Sequence, residues 1–243
     1  MKKTFSTLII FSILFWVSLF SLWQLHSRNL QQKCQDPQWT LSHINTTVTG
    51  PYKLPHTLFL HLLGIDTPCS LFTLDLNKAS ATLQSFSAFK TVRLSKIPPS
   101  TLAIDYALRI PLAQLDDNRA VDKTGASFEL SPFYPPLTLP RFICEEEDIQ
   151  MGLRLLHTLS EYKIECIDLS KCRHKSPFRK EIVITLSHGL YLRLNPDKLD
   201  KNLSLLSRLL PQLHTDMPGT VDLRYTEYAI VSKELCPQKE TAA

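Results

Sequence analysis

The chain has 243 residues, 44% of them hydrophobic and 21% charged, with a formal net charge of +4, the balance of a folded globular chain rather than a disordered one. Only six glycines are present, and the sequence holds no G-x-S-x-G, no Gly-rich phosphate loop and no H-E-x-x-H, so it carries none of these common enzyme signatures. The basic clusters Lys171-Cys172-Arg173-His174-Lys175 and Arg179-Lys180 lack the interleaved aromatic residues that stack on bases, which argues for solvated surface and against nucleic acid as a partner.

Directly after Met1-Lys2-Lys3, Phe5 to Trp23 form a charge-free apolar run. About 19 residues at about 1.5 Å each nearly span a hydrocarbon layer of about 30 Å, and no small-residue cleavage site follows. The expectation is a single transmembrane helix over 5–23 behind a cytoplasmic tail, residues 1–4. This places the chain in the inner (plasma) membrane, anchored by one pass, with its bulk extracytoplasmic. A polar linker covers residues 24–38.

Residues 39–110 read as β-α-α-β-β. Trp39 to Thr49 has β-branched content and ends at the breaker pair Gly50-Pro51. Leu54 to Leu63 is helix-like, with Pro55 tolerated in a first turn. Asp75 opens a second helix whose Leu76, Ala79, Leu83 and Phe86 fall on one face. Val92, Leu94 and Lys96 form a strand that stops at Pro98-Pro99. In the next strand Leu102, Ile104, Tyr106, Leu108 and Ile110 alternate with Thr101, Ala103, Asp105, Ala107 and Arg109.

Residues 111–233 read as a second, mixed α+β domain with a mainly antiparallel sheet and two helices, before a tail, residues 234–243. Asp122-Lys123-Thr124-Gly125 has the chemistry of a hairpin turn. Glu145 to Tyr162 is a helix with Ile149, Leu153, Leu156 and Leu159 on one face and four acids at the positive end of its dipole. Lys163 to Leu169, Glu181 to Leu186 and Tyr191 to Leu194 alternate as strands. Asn195-Pro196 caps a helix carrying Leu199, Leu203, Leu206, Leu210 and Leu213, and a last strand runs from Thr220 to Val231.

The six cysteines, Cys34, Cys69, Cys144, Cys166, Cys172 and Cys236, contain no C-x-x-C and allow about 15 pairings, of which Cys166 with Cys172 would close a short loop. They lack structural zinc spacing, and His56 and His61 are five apart, off any common helical face, so no metal or cofactor is expected. Ser87-Ala88-Phe89-Lys90 fits S-x-x-K and Lys123-Thr124-Gly125 fits K-T-G. No S-D-N accompanies them, and the short strand pair between them leaves no room for a penicillin-binding catalytic domain, so no enzyme is read.

Taken in order, several segments resemble the bacterial cell-division family FtsQ/DivIB. Leu71-Phe72-Thr73-Leu74-Asp75-Leu76 resembles the entry to the second helix of that family's POTRA domain, and Phe89-Lys90-Thr91-Val92-Arg93-Leu94 resembles its following strand. Pro98-Pro99-Ser100-Thr101-Leu102-Ala103-Ile104 is similar to its W-P-x-x-L-x-I, and Arg109-Ile110-Pro111-Leu112-Ala113 to its E-x-x-P-V-A. Ala120 to Phe128 is similar to its L-V-D-x-x-G-x-x-F hairpin, and Val221-Asp222-Leu223-Arg224-Tyr225 to its final-strand signature. Phe89 in place of Trp, Ser95-Lys96-Ile97 in place of Arg-x-Trp, and Glu227-Tyr228 in place of a Gly-containing turn mark a divergent member.

The resemblance implies an α+β protein with an N-terminal transmembrane helix, a POTRA domain and a partner-binding domain. It implies a non-catalytic scaffold of the divisome, at the septum, that binds small bitopic FtsB/FtsL-like coiled-coil proteins and helps regulate septal peptidoglycan synthesis. Carried onto this sequence, the partner-binding positions are Arg224, Tyr225, Tyr228, Ala229, Ile230 and Val231. An unpaired edge at this last strand would pair with another chain by β-augmentation, and an Arg there would grip a partner carboxylate. The alternative is a POTRA-containing translocation or envelope-assembly factor. A glycoprotein bearing sequons at Asn45-Thr46-Thr47 and Asn202-Leu203-Ser204 is a distant third.

Overall fold

Alternating strands separated by two amphipathic helices build the first of two units, which part between Leu108 and Arg109. The computed structural model describes residues 15–29, 36–65, 69–176, 179–187, 189–212, 218–225 and 228–232. Helix α1, described over residues 15–29, comes first. The unit continues with strand β1 (His43–Val48), helices α2 (His56–Leu63) and α3 (Leu76–Ser85), and strands β2 (Phe89–Ile97) and β3 (Thr101–Leu108).

The expected membrane span is corrected here. Residues 5–14 lie outside the described residues, and among the described residues no helix is long and apolar enough to cross a membrane. The physical reason lies in composition: residues 15–29 of α1 include Gln24, His26, Arg28 and Asn29, which a hydrocarbon layer disfavours. Its apolar side chains, among them Phe15, Trp16 and Trp23, are exposed. A single-pass anchor in the inner membrane is therefore not supported, and residues 24–29, expected as linker, are helical.

In the first unit β3 is central, parallel to β1 and antiparallel to β2, in the order β1-β3-β2. Period-two alternation puts Leu102, Ile104, Tyr106 and Leu108 inward, while Ile110 lies beyond the strand and is exposed. Phe59 of α2 is fully buried, with its ring 5.1 Å from that of Tyr106 and 6.3 Å from that of Phe89. Tyr106 Oη accepts the Leu54 N–H at 2.7 Å, which anchors the chain just before α2. Pro55 precedes the first turn of α2, and Gly64 ends the helix at φ +59°, where a side chain would be strained. Asp75 caps α3 by accepting from Asn77 N (2.9 Å) and Lys78 N (3.2 Å). The expected strand from Trp39 is shorter than its composition suggests, because Pro37–Trp39 form a 3-10 turn.

The second unit holds a sheet of nine strands: β4 (Ala113–Gln114), β5 (Arg119–Val121), β6 (Ser127–Glu129), β7 (Arg141–Ile143), β8 (Ile164–Asp168), β9 (Ile182–Leu186), β10 (Leu190–Leu194), β11 (Gly219–Asp222) and β12 (Ile230–Ser232). Their order is β12-β11-β10-β9-β8-β7-β4-β5-β6. The sheet is mixed: β10 with β11, β7 with β8 and β4 with β7 are parallel, and the other neighbours are antiparallel. Parallel neighbours need a crossover, which α4 (Ile149–Thr158) supplies between β7 and β8 and α5 (Leu199–Leu209) between β10 and β11. The core is mainly aliphatic, with Leu155, Ile167, Ile182, Ile184, Leu192 and Leu206 almost wholly enclosed beside the ring of Phe142.

Four sequence expectations change in this unit. The long last strand is a hairpin, β11 and β12, interrupted where Asp222 accepts from Arg224 N at 3.1 Å. The four acids before α4 are held by more than the helix dipole: Glu146–Asp148 form a 3-10 turn, Asp148 is buried against Cys172 Sγ (3.2 Å) and Arg173 Nε (2.9 Å), and Glu147 pairs with Arg173. Cys69, Cys144, Cys166 and Cys172 are free thiols, so Cys166 and Cys172 are not joined, while Cys34 and Cys236 lie outside the described residues. Asn202 is buried and donates to Leu223 O, which denies its sequon to a glycan.

Candidate protein-interaction edge

The end of the second sheet is built by β10, β11 and β12. β12 pairs with β11 through Val221–Val231 and Asp222–Ile230, and among the described residues no strand lies on its other side. Among the described residues β12 is therefore the outer strand of the sheet, the position at which another chain can add. Ile230 and Val231 are 47% and 54% exposed, an apolar pair that edge strands usually avoid. Ala229 packs back against the core and fixes where the strand begins.

Before it, Leu223 is fully buried, its N–H donating to Arg193 O at 2.8 Å and its carbonyl accepting from Asn202. The Tyr225 and Tyr228 rings stack at 5.1 Å and 12°, both exposed, forming a flat aromatic face beside the edge. The expected residues Tyr225, Tyr228, Ile230 and Val231 thus stand together at the surface, with Ala229 as their inward anchor.

Arg224 behaves differently from its expected role. Its guanidinium grips a carboxylate of this same chain: Nε donates to Asp222 Oδ1 and Oδ2 at 3.0 and 3.1 Å, and Nη2 to Oδ2 at 2.6 Å. Hydrogen bonds to the Asp222 carboxylate hold Arg224 protonated more firmly than usual, against the opposing effect of burial. Arg224 Nη1 also lies 3.6 Å from Glu181 Oε2.

Glu181, at the start of β9, is the hub that sequence reasoning missed. It is buried and takes Lys171 Nζ at 2.5 Å on Oε1, with Arg193 Nε at 3.1 Å and Arg193 Nη2 on Oε2. Burial pushes its carboxyl up, but the Lys171 and Arg193 hydrogen bonds outweigh this and leave it below its ordinary value. The only signal in the sequence was an acid at the head of an apolar strand run, which reads equally as a solvated flank.

The other motifs resolve as structure. Asp122 Oδ1 accepts from Thr124 N (2.8 Å) and Ala126 N (3.2 Å), and its Oδ2 takes Arg109 Nη1 at 2.7 Å, so K-T-G is the turn between β5 and β6. Ser87 is exposed on the turn before β2 in the other unit. Among the described residues no group of three His, Cys, Asp or Glu side chains is placed to hold a metal ion. No family model and no curated protein matches this chain.

Proposed function

We propose that this chain is a non-catalytic binding scaffold that captures an extended segment of a partner beside β12, the outer strand of its sheet among the described residues. The observation that carries the reading is this edge strand, whose exposed Ile230 and Val231 and stacked Tyr225 and Tyr228 would be covered by an added strand. The resemblance to FtsQ/DivIB supports a division role, with FtsB/FtsL-like coiled-coil proteins as partners and regulation of the septal peptidoglycan synthase complex as the consequence. Backbone pairing supplies affinity in such an arrangement, and side chains on alternate positions supply selectivity. Arg224 would join only by turning a free N–H toward the partner, since its main fork already holds Asp222.

Crosslinked co-purification of the full-length chain from its native cells tests this, beside Ile230→Glu and the double variant Arg224→Glu with Ile230→Glu. Recovery of small coiled-coil proteins by the parent and their loss from both variants is the expected result. Equal recovery of many unrelated envelope proteins by all three would overturn it. That outcome favours the second reading, an assembly or translocation factor, for which the first unit offers β2, the outer strand of its own sheet.

A further inference from the structure

We infer that the cleft walled by Lys171, His174, Arg179, Glu181, Arg193 and Arg224 binds a doubly charged oxyanion of the phosphate class, as the free anion or as a phosphate monoester. The cleft has a volume of about 420 Å³, room for a phosphoryl group and a substituent. Anion binding in this cleft is independent of strand addition at β12.

The wall offers donors and almost no acceptors. Glu181 is its one carboxylate, and both oxygens are taken, Oε1 by Lys171 and Oε2 by Arg193. His174 Nδ1 accepts the Ser176 N–H at 3.0 Å, so in the neutral ring the proton sits on Nε2 and the ring also offers a donor. Arg193 and Arg224 spend their Nε and Nη2 groups on Glu181 and Asp222. Their Nη1 groups stand 4.0 Å from Asp222 and 3.6 Å from Glu181, beyond good hydrogen-bond length. Arg179 has no ion-pair partner among the described residues.

Charge selects the ligand class. Lys171, Arg179, Arg193 and Arg224 face only Glu181 in the wall and Asp222 behind it, leaving two positive charges unbalanced among the described residues. A single carboxylate would neutralise one of them, whereas a phosphate dianion neutralises both and presents acceptors to several donors at once. Guanidinium forks suit such an oxyanion, and a partly enclosed cleft strengthens each charge-assisted bond.

The test is calorimetric titration of the full chain with inorganic phosphate and with glycerol 3-phosphate, against sodium chloride at matched ionic strength. Saturable binding of either phosphate compound, with no response to chloride, is expected. The relative affinity of the two identifies the source as free phosphate or a phosphorylated molecule. Arg179→Ala should weaken binding about tenfold, the loss of one charge-assisted hydrogen bond, while leaving the unliganded melting temperature unchanged. Arg179→Lys should recover part of the affinity. A response to chloride equal to that for phosphate, or phosphate binding that is unaltered in Arg179→Ala and in Lys171→Ala alike, overturns the assignment.

Discussion

The buried set of the first unit is hydrophobic and centred on the rings of Phe59, Phe89 and Tyr106, whereas the buried acids and amide identified in the protein, Asp122, Asp148, Glu181, Asn202 and Asp222, all belong to the second. The ring cluster is specified mainly by shape, with one hydrogen bond at the Tyr106 hydroxyl. A buried carboxylate costs several kcal/mol to desolvate, and each here is held by Arg, Lys or backbone donors. The contrast shows where to look for binding: the second unit maintains charge at the margin of its sheet, and both the β12 edge and the cationic cleft lie there.

The largest expected effect is in the ring cluster. Phe59→Ala removes a fully enclosed ring and should cost about 3–5 kcal/mol by denaturant unfolding; a cost below about 1 kcal/mol would mean that the cluster is not the organising core of its unit. Next comes the charge cluster. Glu181→Ala leaves Lys171 and Arg193 without their main carboxylate, Arg224 being held by Asp222, and should cost about 2–3 kcal/mol, below the usual figure for a broken buried pair because those cations reach solvent. Gly152→Ala should cost about 1–3 kcal/mol, since an added Cβ would stand 2.8 Å from the Phe142 ring, between α4 and β7.

Glu181 and Asp122 of the second unit and Tyr106 of the first respond to opposite ends of the pH scale. Glu181 and Asp122 have depressed carboxyls, burial being outweighed by their hydrogen bonds. Their stabilising contribution is fully present above their ordinary values of 4.5 and 3.8 and is lost as pH falls through the depressed values. Burial pushes the Tyr106 hydroxyl above 10.0 despite the Leu54 hydrogen bond, so its contribution is present below 10.0 and lost as pH rises through the raised value. Unfolding followed at both extremes should show Glu181→Gln flattening only the acid limb and Tyr106→Phe only the alkaline limb. The smallest effect expected is for Arg154→Ala, under about 1 kcal/mol, because the Arg154–Asp200 pair is exposed on both sides.

Much of the first unit was legible. The inward set of β3 follows from strict alternation, the start of α3 from the Asp75 cap, and the order of elements from breakers such as Gly50-Pro51 and Pro98-Pro99. The end of the chain was less so, because Thr220 to Val231 has strand composition throughout while the turn within it depends on Asp222 and on Asn202, which donates to Leu223 O from another element. The membrane span was overturned for a related reason: apolar composition over Phe5 to Trp23 cannot by itself establish a spanning helix, and among the described residues no helix is long and apolar enough to cross a membrane.

The sequence by itself determined the α+β character, the β-α-α-β-β order and the candidate surface residues of the last strand, since periodicity, caps and turn chemistry act over a few neighbouring residues. Only the tertiary structure decided that Arg224 is clasped by Asp222, that Glu181 gathers Lys171 and Arg193, and that Arg179 faces a cleft without an ion-pair partner among the described residues. The Glu181 pairings join residues of different strands and loops, and even for Asp222 and Arg224, two residues apart, electrostatic pairing depends on distance and burial, which sequence pattern does not encode.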